Sequence, residues 1–239
     1  MLKLNIIGRR RPGTLLEEHR RHIRQVHGEL VREYIKTDPD HAPKRYVQNA
    51  VFDGTYRGSV SSDDPFRFNR DFITQVWVED FAALERSRST AFYRNRLRDD
   101  EGQFVDEDTV VFLPCSERRV SLADSVSLPA FKLFLLFQRA EGIEPEDFRA
   151  AWAHLAGSTA TNAIRHVQND VMAARGAGRT PADAIDEFWF ENEADARAEA
   201  THWVSRIESS LVADGLAAPR SIVVLLARED IVHAGAVVP

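Results

Sequence analysis

Apolar residues fall into short runs of strand length and longer amphipathic segments, in an order that occurs twice along the chain. Runs of five to nine residues rich in Val, Ile, Leu and Phe are typical of buried strands. This pattern predicts four strands in each half: Leu2–Gly8, Lys44–Val51, Phe72–Val78 and Thr109–Leu113, then Phe131–Phe137, Ile164–Met172, Ile185–Phe190 and Ser221–Ala227.

Two helices are predicted in each half, one after the first strand and one after the third. Thr14 and Glu17 have the spacing of a capping box, which predicts a helix running to about Ile35. Pro145 is predicted at the first helical position of the corresponding helix, after Glu144. Asp80 and Asn192 are predicted N-caps of the two later helices. At 100° per residue, one apolar face of the first helix carries Leu15, Leu16, Ile23, Val26, Leu30 and Tyr34.

Identical residues recur between the two halves in the same order. At an offset of 129 residues, Gly13, Glu17 and Arg20 overlie Gly142, Glu146 and Arg149. Further along, the offset falls to 120, where Arg45–Asn49 and Arg165–Asn169 agree at four of five positions, and then to 112, where Trp77 overlies Trp189. A repeat of about 100 residues is the size of a domain, so it indicates a duplicated unit.

Each half therefore has the order βαββαβ, which is the ferredoxin-like split βαβ motif. We predict an α+β fold with an N-terminal unit at residues 1–120 and a C-terminal unit at residues 130–235. The polar, proline-ended stretch Ser121–Pro129 is predicted to be the linker between them.

The chain also resembles the EthD domain family, once in each half, and the resemblance covers nearly its whole length. The resemblance rests on an apolar opening strand, Arg11-Pro12-Gly13, a helix with Arg20 and His27, the run Arg45–Asn49, and the strand around Trp77. It implies two ferredoxin-like units packed as one pseudo-dimeric α/β barrel, here supplied by one chain. The superfamily that this resemblance implies includes cofactor-free isomerases, cyclases, dehydratases and decarboxylases of hydrophobic compounds. It also includes haem-dependent proteins and monooxygenases, and fold analogy does not select among these activities.

Composition and charge indicate which binding partners and which cellular compartment to expect. A formal net charge of −6 argues against general nucleic-acid binding, which needs clustered Lys and Arg. The single cysteine, Cys115, excludes an intramolecular disulfide and suits a reducing compartment. Since neither a signal peptide nor an apolar run long enough to cross a bilayer is found, we expect a cytoplasmic protein that does not bind membranes.

His27 is the first candidate catalytic residue. A histidine titrates near neutral pH and suits general acid–base work, and the resemblance implies that the helix-end histidine is the catalytic group. The alternative is a partly exposed helix histidine with no catalytic role. The corresponding position of the second half is Ala156, so one full site and one degenerate site are expected.

The run at the second strand, which is repeated in the second half, supplies further candidates. Asn49 is a candidate for stabilising an oxyanion opposite His27, although its match with Asn169 also suits a structural amide that binds backbone groups. Tyr46, replaced by His166 in the second half, could donate to a ligand oxygen or could simply pack across the sheet. Candidate catalytic residues are thus His27, Asn49 and Tyr46, and candidate substrate-binding residues are His22, Trp77, Arg45 and His166.

No metal or other cofactor is predicted. His19 and His22 have a spacing that can share a metal, but His19 falls at the centre of the apolar face and matches Phe148, so it is predicted to face the core. Cys115 has no histidine partner in the sequence and is predicted to be inert. Because Phe134, Phe137, Phe188 and Phe190 make the strands of the second half bulkier, a pocket, if present, is expected to be biased toward the first half.

These observations favour a cofactor-independent lyase, isomerase or cyclase acting on an aromatic or polyketide-like small molecule, with His27 moving the proton. One alternative is a non-catalytic protein that holds a hydrophobic metabolite for a partner oxygenase. Another is a haem-binding cousin. A homodimer of the intramolecular barrel is a further expectation.

Overall fold

The computed structural model describes residues 1–57, 64–122, 131–172 and 180–235. Within these residues the chain forms eight strands and six α-helices. The first half contains β1 (Leu2–Gly8), α1 (Leu16–His22), α2 (Gly28–Thr37), β2 (Arg45–Thr55), β3 (Phe72–Val78), α3 (Phe81–Ser89), α4 (Arg98–Phe104) and β4 (Val111–Leu122). The second half contains β5 (Phe131–Phe137), α5 (Pro145–Ser158), β6 (Arg165–Val171), β7 (Ala184–Phe190), α6 (Glu193–Ile207) and β8 (Val223–His233).

Three helical connections are π-helical, which means that backbone hydrogen bonds there span five residues instead of four. They are Ile23–His27 between α1 and α2, Tyr93–Leu97 before α4, and Glu208–Val212 after α6. The first of these carries His27 at its last position.

Hydrogen bonds join the strands in the closed order β1-β3-β2-β8-β5-β7-β6-β4, an eight-stranded barrel. Every pairing whose register is described is antiparallel. In the first half, Leu2 lies opposite Val78, and Arg45 lies opposite Trp77. The predicted α+β class is therefore confirmed.

Backbone contacts group the chain into two compact units. Unit 1 comprises Met1–Ala50, Arg70–Pro114 and Glu229–Pro239, and unit 2 comprises Val51–Asn69 and Cys115–Arg228. The core of unit 1 gathers apolar side chains of the sheet and of α2, including Leu4, Val31, Tyr34 and Val76. The core of unit 2 is richer in large rings and includes Phe137, Phe148, Trp152, Phe188 and Trp203.

Several sequence predictions agree closely with these elements. Strands β1, β3 and β5 have the predicted bounds. Asp80 and Asn192 cap α3 and α6, accepting hydrogen bonds from the backbone N–H groups of Ala83 and Asp195 at 2.7 and 2.9 Å. Pro145 opens α5 after Glu144, as predicted.

The start of the first helix was predicted one residue too early. The helix has Leu15 as its N-cap, and the backbone N–H of Leu15 donates to the Glu18 carboxylate at 3.0 Å. The predicted pairing of Thr14 with Glu17 is therefore wrong. Glu18 satisfies one of the backbone donors that a helix start leaves unpaired.

The predicted apolar face of this helix is also wrong in part, because the π-helical segment changes the helical phase. Leu15 and Val26 are exposed, whereas Ile23, His27, Val31 and Tyr34 are buried. One extra residue in a turn rotates everything after it by about 100° relative to an unbroken helix. His27 consequently faces inward instead of lying at the edge of the face.

The fourth strands run much further than the apolar pattern suggested. β4 continues to Leu122 through Glu117, Arg118 and Arg119, which pair with β6 even though they are polar and exposed. The linker predicted at Ser121–Pro129 thus begins inside β4, and residues 123–129 lie outside the described residues. Among the described residues, no helix has the length and apolarity that a membrane crossing requires.

Candidate active site

A cavity of about 390 Å³ lies in unit 1. This volume is within the range of about 300–1,000 Å³ that small-molecule sites usually have. Its wall is mostly apolar and aromatic, with polar groups contributed by several helices and strands. The lining residues are Ile6, His27, Tyr46, Phe72, Thr74, Arg88, Tyr93, Arg98, Glu101, Phe104, Val105, Glu107, Val110 and Phe112.

The π-helical segment Ile23–His27 places His27 in this wall. The N–H of Gly28 donates to the carbonyl of Ile23, which is the five-residue hydrogen bond of a π turn. That carbonyl also accepts a hydrogen bond from Gln48 Nε2 on β2, at 2.8 Å. The strand thus holds the irregular turn in place. Such turns occur frequently at functional sites because they redirect individual side chains.

Two histidines of this region share one carboxylate. Asp100, in the first turn of α4, lies 2.9 Å from His27 Nδ1 through Oδ2 and 2.7 Å from His22 Nε2 through Oδ1. Burial by itself would raise the pKa of Asp100, but the hydrogen bonds from His27 and His22 outweigh it and lower that pKa below its ordinary value. The carboxylate is therefore ionised, and both ring nitrogens that face it must carry hydrogen, because a carboxylate can only accept.

Tyr46 continues this chain of hydrogen bonds on the other side of His27. Its hydroxyl lies 3.0 Å from His27 Nε2. When Nδ1 donates to Asp100, Nε2 of a neutral His27 is an acceptor, so the hydroxyl of Tyr46 donates to it. Burial, assisted by the negative charge of Glu101, raises the pKa of Tyr46 far above its ordinary value. Tyr46 is thus kept as a neutral phenol.

The cavity wall carries a second polar group. The hydroxyl of Tyr93 donates to the Glu101 carboxylate, with 3.1 Å to each oxygen. Burial and the charge of Glu101 raise the pKa of Tyr93 to about 12. Arg98 lies 3.6 Å from Glu101 and also contacts Glu107. The guanidinium of Arg88 lies over the ring of Phe112, 5.4 Å from its centroid.

The structure brings together three of the residues chosen from the sequence. His27 and Tyr46 line the cavity, and His22 meets His27 through Asp100. Phe104 packs against this group, with its ring centroid 4.9 Å from that of His27 and 5.2 Å from that of His22. The three residues form one connected group within unit 1.

Asn49, Arg45 and Trp77 lie elsewhere in unit 1 and are not among the residues that line this cavity. The amide of Asn49 donates to the carbonyl of Ile73 at 2.9 Å and to Gln75 Oε1 at 3.2 Å, which agrees with the structural alternative for this residue. The guanidinium of Arg45 lies 4.6 Å from the ring centroid of Trp77. Both residues have positions suited to packing between β2 and β3.

His166 belongs to unit 2, in a fully buried cluster. Its Nε2 lies 2.6 Å from Asp186 Oδ1, and Trp152 Nε1 donates to Asp186 Oδ2 at 2.8 Å. The ring of His166 stacks on Phe188 with 4.1 Å between centroids. His19 is buried as predicted, with its Nδ1 3.1 Å from the Phe104 carbonyl.

Sequence reasoning missed Asp100, Glu101, Tyr93 and Arg88. In a regular α-helix, His22 and His27 would point about 140° apart, so a shared acceptor was not expected. One signal was present: Asp99, Asp100 and Glu101 form an acidic run at the start of a helix. That run also suits the helix dipole, however, and is not specific for a site.

We tested whether the residues present would suit haem, because the EthD resemblance includes haem-binding cousins. An axial histidine needs a free ring nitrogen. His27 is the only histidine among the described residues that line the cavity, and both of its ring nitrogens are engaged, by Asp100 and by Tyr46. These residues do not fit haem. Among the described residues, no group of three or more His, Cys, Asp or Glu is placed to hold a metal ion.

The fold of this chain is similar to those of several solved structures. An anthrone oxidase-like protein aligns over 97% of this chain and 92% of its own, with 13% identity and a TM-score of 0.51. A provisionally assigned monooxygenase from Lactobacillus acidophilus NCFM aligns over 100% and 98%, with 10% identity and a TM-score of 0.52. Chlorite dismutase from Candidatus Nitrospira defluvii, solved with imidazole, aligns over 97% and 92%, with 8% identity and a TM-score of 0.50.

At these identities the likeness concerns the fold alone. A search of curated proteins finds no sequence match. The family comparison goes further, because residues 11–108 match the model of the EthD domain. Residues 11–108 are therefore similar to the EthD domain family, as the sequence resemblance indicated. The matched range includes His27, Tyr46, Arg88 and Asp100.

Proposed function

We propose that the unit 1 cavity is the active site of a cofactor-independent lyase, isomerase or cyclase that moves protons on a hydrophobic aromatic or polyketide-like molecule. One observation carries this proposal: the hydrogen-bonded chain Asp100–His27–Tyr46 ends in a cavity of about 390 Å³ with aromatic walls. A carboxylate behind a histidine fixes its tautomer and stabilises the imidazolium that forms when the histidine takes a proton.

His27 is the base in this proposal, and Tyr46 is the relay. Because Nε2 of His27 is engaged by the Tyr46 hydroxyl, the substrate proton reaches it through that hydroxyl. The acidic C–H of the substrate gives its proton to the Tyr46 oxygen while the Tyr46 proton moves to His27 Nε2. The C–H electron pair forms an enolate, and the new imidazolium pairs with Asp100. The raised pKa of Tyr46 suits a concerted transfer, since a free phenolate is not formed.

The reaction is completed by the reverse movement of the same proton. In an isomerisation the proton returns to a different carbon of the enolate. In a dehydration it goes to the departing β-hydroxyl group, which leaves as water. Both routes balance without a co-reactant, so they need only the residues of this cavity. The rings of Phe72, Phe104 and Phe112 supply the apolar surface that an aromatic substrate would contact.

The test is deuterium exchange into 2-tetralone, a hydrophobic ketone with acidic C–H bonds, followed by NMR in D2O. We expect the wild-type protein to accelerate exchange and H27Q to lower that acceleration about 10²–10⁴-fold, the usual contribution of a general base. H41Q is the matched control, because His41 is an exposed histidine that also pairs with an aspartate, Asp38, at 2.8 Å. Full exchange activity in H27Q would end the proposal.

A second candidate reaction follows from the structural neighbour described as anthrone oxidase-like. The same base could deprotonate an anthrone, whose carbanion reacts with O2. The ring CH2 then becomes a carbonyl, and the second oxygen atom leaves as water. Oxygen consumption with anthrone, lost in H27Q, would favour this reaction over proton transfer alone. Binding of aromatic compounds with neither activity would favour the non-catalytic alternative.

We also propose that the two halves, at residues 1–120 and 130–235, are ferredoxin-like units that arose by duplication. Matched positions make matched contacts, which supports this proposal. Gln48 and Gln168 donate to the carbonyls of Ile23 and Trp152 at 2.8 and 3.2 Å. Arg45 and Arg165 lie over Trp77 and Trp189 at 4.6 and 4.5 Å. Homologous sequences in which one short chain aligns with both halves would support duplication, whereas homologues that match only one half would count against it.

The homodimer expected from the sequence stays a prediction. Sedimentation equilibrium of the purified protein gives a direct answer. A mass near 27.1 kDa would contradict it, and a mass of twice that value would support it.

A further inference from the structure

Arg88 is a charged residue of the cavity that has no role in the proposed proton transfer. It lies near the end of α3 and lines both the 390 Å³ cavity and a smaller space of about 60 Å³ that shares His27, Tyr46 and Glu101 with it. Its guanidinium lies over Phe112, a large ring that is 47% exposed. Arg88 is itself exposed and so stands at the rim.

The other charged residues of the wall pair with one another. Arg98 pairs with Glu107 and with Glu101. Glu101 additionally accepts the hydroxyl of Tyr93. Within the part of the chain that the structure describes, no carboxylate lies within ion-pair distance of Arg88. The two arginines and two glutamates of the wall sum to zero charge, but among the described residues Arg88 contacts an aromatic ring and no carboxylate, so its guanidinium is available at the rim.

We propose that Arg88 binds a carboxylate of the substrate, so that the molecule taken by this site is an aromatic carboxylate. This inference rests on the proposed function, because it names the substrate class of the same cavity. A guanidinium presents two parallel N–H donors that match the two oxygens of a carboxylate. The contact with Phe112 restricts the orientation of the guanidinium before the ligand arrives. The aromatic part of the ligand then lies between the rings of the cavity, toward His27.

The experiment compares two probes of equal size, 2-naphthoate and 2-naphthamide, whose dissociation constants are measured by calorimetry. We expect the wild-type protein to bind the naphthoate about tenfold more tightly, which is the lower end for a charge-assisted hydrogen bond because Arg88 is exposed. R88Q should lose this preference, and R88K should keep part of it as a single point charge. Raising the salt concentration should weaken only naphthoate binding, since exposed charges are screened.

R86Q is the matched control. Arg86 lies on the same helix, is also exposed, and does not line the cavity, so its removal should leave the preference for naphthoate unchanged. A wild-type protein that binds both probes equally, or an R88Q variant that still prefers naphthoate, would overturn the inference. If 2-tetralone exchange persists in that case, only the carboxylate assignment fails. If neither probe binds, the inference and the proposed aromatic site both fail.

Discussion

Asp100 gives the sharpest test of the candidate site, because one carboxylate orients two histidines. The substitution D100N keeps the size of the side chain but replaces one acceptor oxygen by an NH2 donor. One of the two imidazoles then faces a donor instead of an acceptor. If the imidazole that faces the new NH2 group is that of His27, its Nδ1 must become the acceptor and its Nε2 must carry the hydrogen. Nε2 can then no longer accept a proton from Tyr46.

The magnitude follows from the two hydrogen bonds, at 2.7 and 2.9 Å. A hydrogen bond to a charged group contributes about 1.5–3 kcal/mol. The side chains of His27 and Asp100 are 5% and 10% exposed, but that of His22 is 28% exposed, so the second bond is partly screened. We expect D100N to lower the free energy of unfolding by about 2–4 kcal/mol. The wrong tautomer should lower proton-exchange activity by about 10²–10⁴-fold.

The assay is urea unfolding followed by tryptophan fluorescence, together with deuterium exchange into 2-tetralone. H22Q is the comparison variant, because it removes one hydrogen bond to Asp100 and leaves the His27 side intact. It should cost less stability than D100N and keep most of the activity. If D100N unfolds at the wild-type urea concentration and exchanges 2-tetralone at the wild-type rate, the assigned role of Asp100 is refuted.

The same carboxylate predicts how stability depends on pH. Since the folded protein lowers the pKa of Asp100, the unfolded chain binds more protons between the two pKa values, and stability rises with pH there. The contribution is complete above the ordinary aspartate pKa, about 3.9, and is lost as the pH falls through the lower folded value. The difference in stability between wild type and D100N should shrink as the pH falls below about 4. A difference that does not shrink in acid would contradict this reasoning.

Two further predictions concern unit 2. Trp152 and Trp203 are both buried, but Trp152 donates to Asp186 at 2.8 Å, whereas the Trp203 indole nitrogen has no hydrogen-bond partner among the described residues. By urea unfolding, W152F should therefore cost about 1.5–3 kcal/mol more than W203F, and equal losses would contradict this. Lys132 and Glu187 form a fully buried ion pair at 2.7 Å. K132M alone should cost about 3–5 kcal/mol by stranding a buried charge, and K132M/E187L should recover most of it, whereas a double variant less stable than K132M would refute this account.

The sheet was predictable from sequence because its strands are local apolar runs with clear ends. Phe72–Val78 is buried at every position, and such a run reads as a central strand without any knowledge of its neighbours. The length of β4 was not predictable in this way. Its second half carries Glu117, Arg118 and Arg119, which are polar. This segment is a strand because it pairs with β6, and a pairing with a distant segment leaves no signal in the local sequence pattern.

The site was only half predictable for a related reason. His27 and Tyr46 were found because they lie in motifs, but their partner Asp100 lies 73 residues beyond His27 on a separate helix. The link between them depends on the π-helical turn at Ile23–His27. That turn is held by the hydrogen bond from Gly28 N–H to the Ile23 carbonyl and by the side chain of Gln48. Neither hydrogen bond leaves a clear mark on the spacing of apolar residues, so the turn could not be recognised in the sequence.

The second half shows why a repeated sequence pattern need not give a second site. At the position matching Tyr46 it has His166, whose ring packs on Phe188 at 4.1 Å and against Trp203 at 5.2 Å. Asp186, the partner of His166, also accepts the indole N–H of Trp152, so both of its oxygens are engaged. His166 and Asp186 are 1% and 0% exposed, and the Trp203 ring that packs against His166 is buried as well. We therefore expect one functional site in this chain, built on His27.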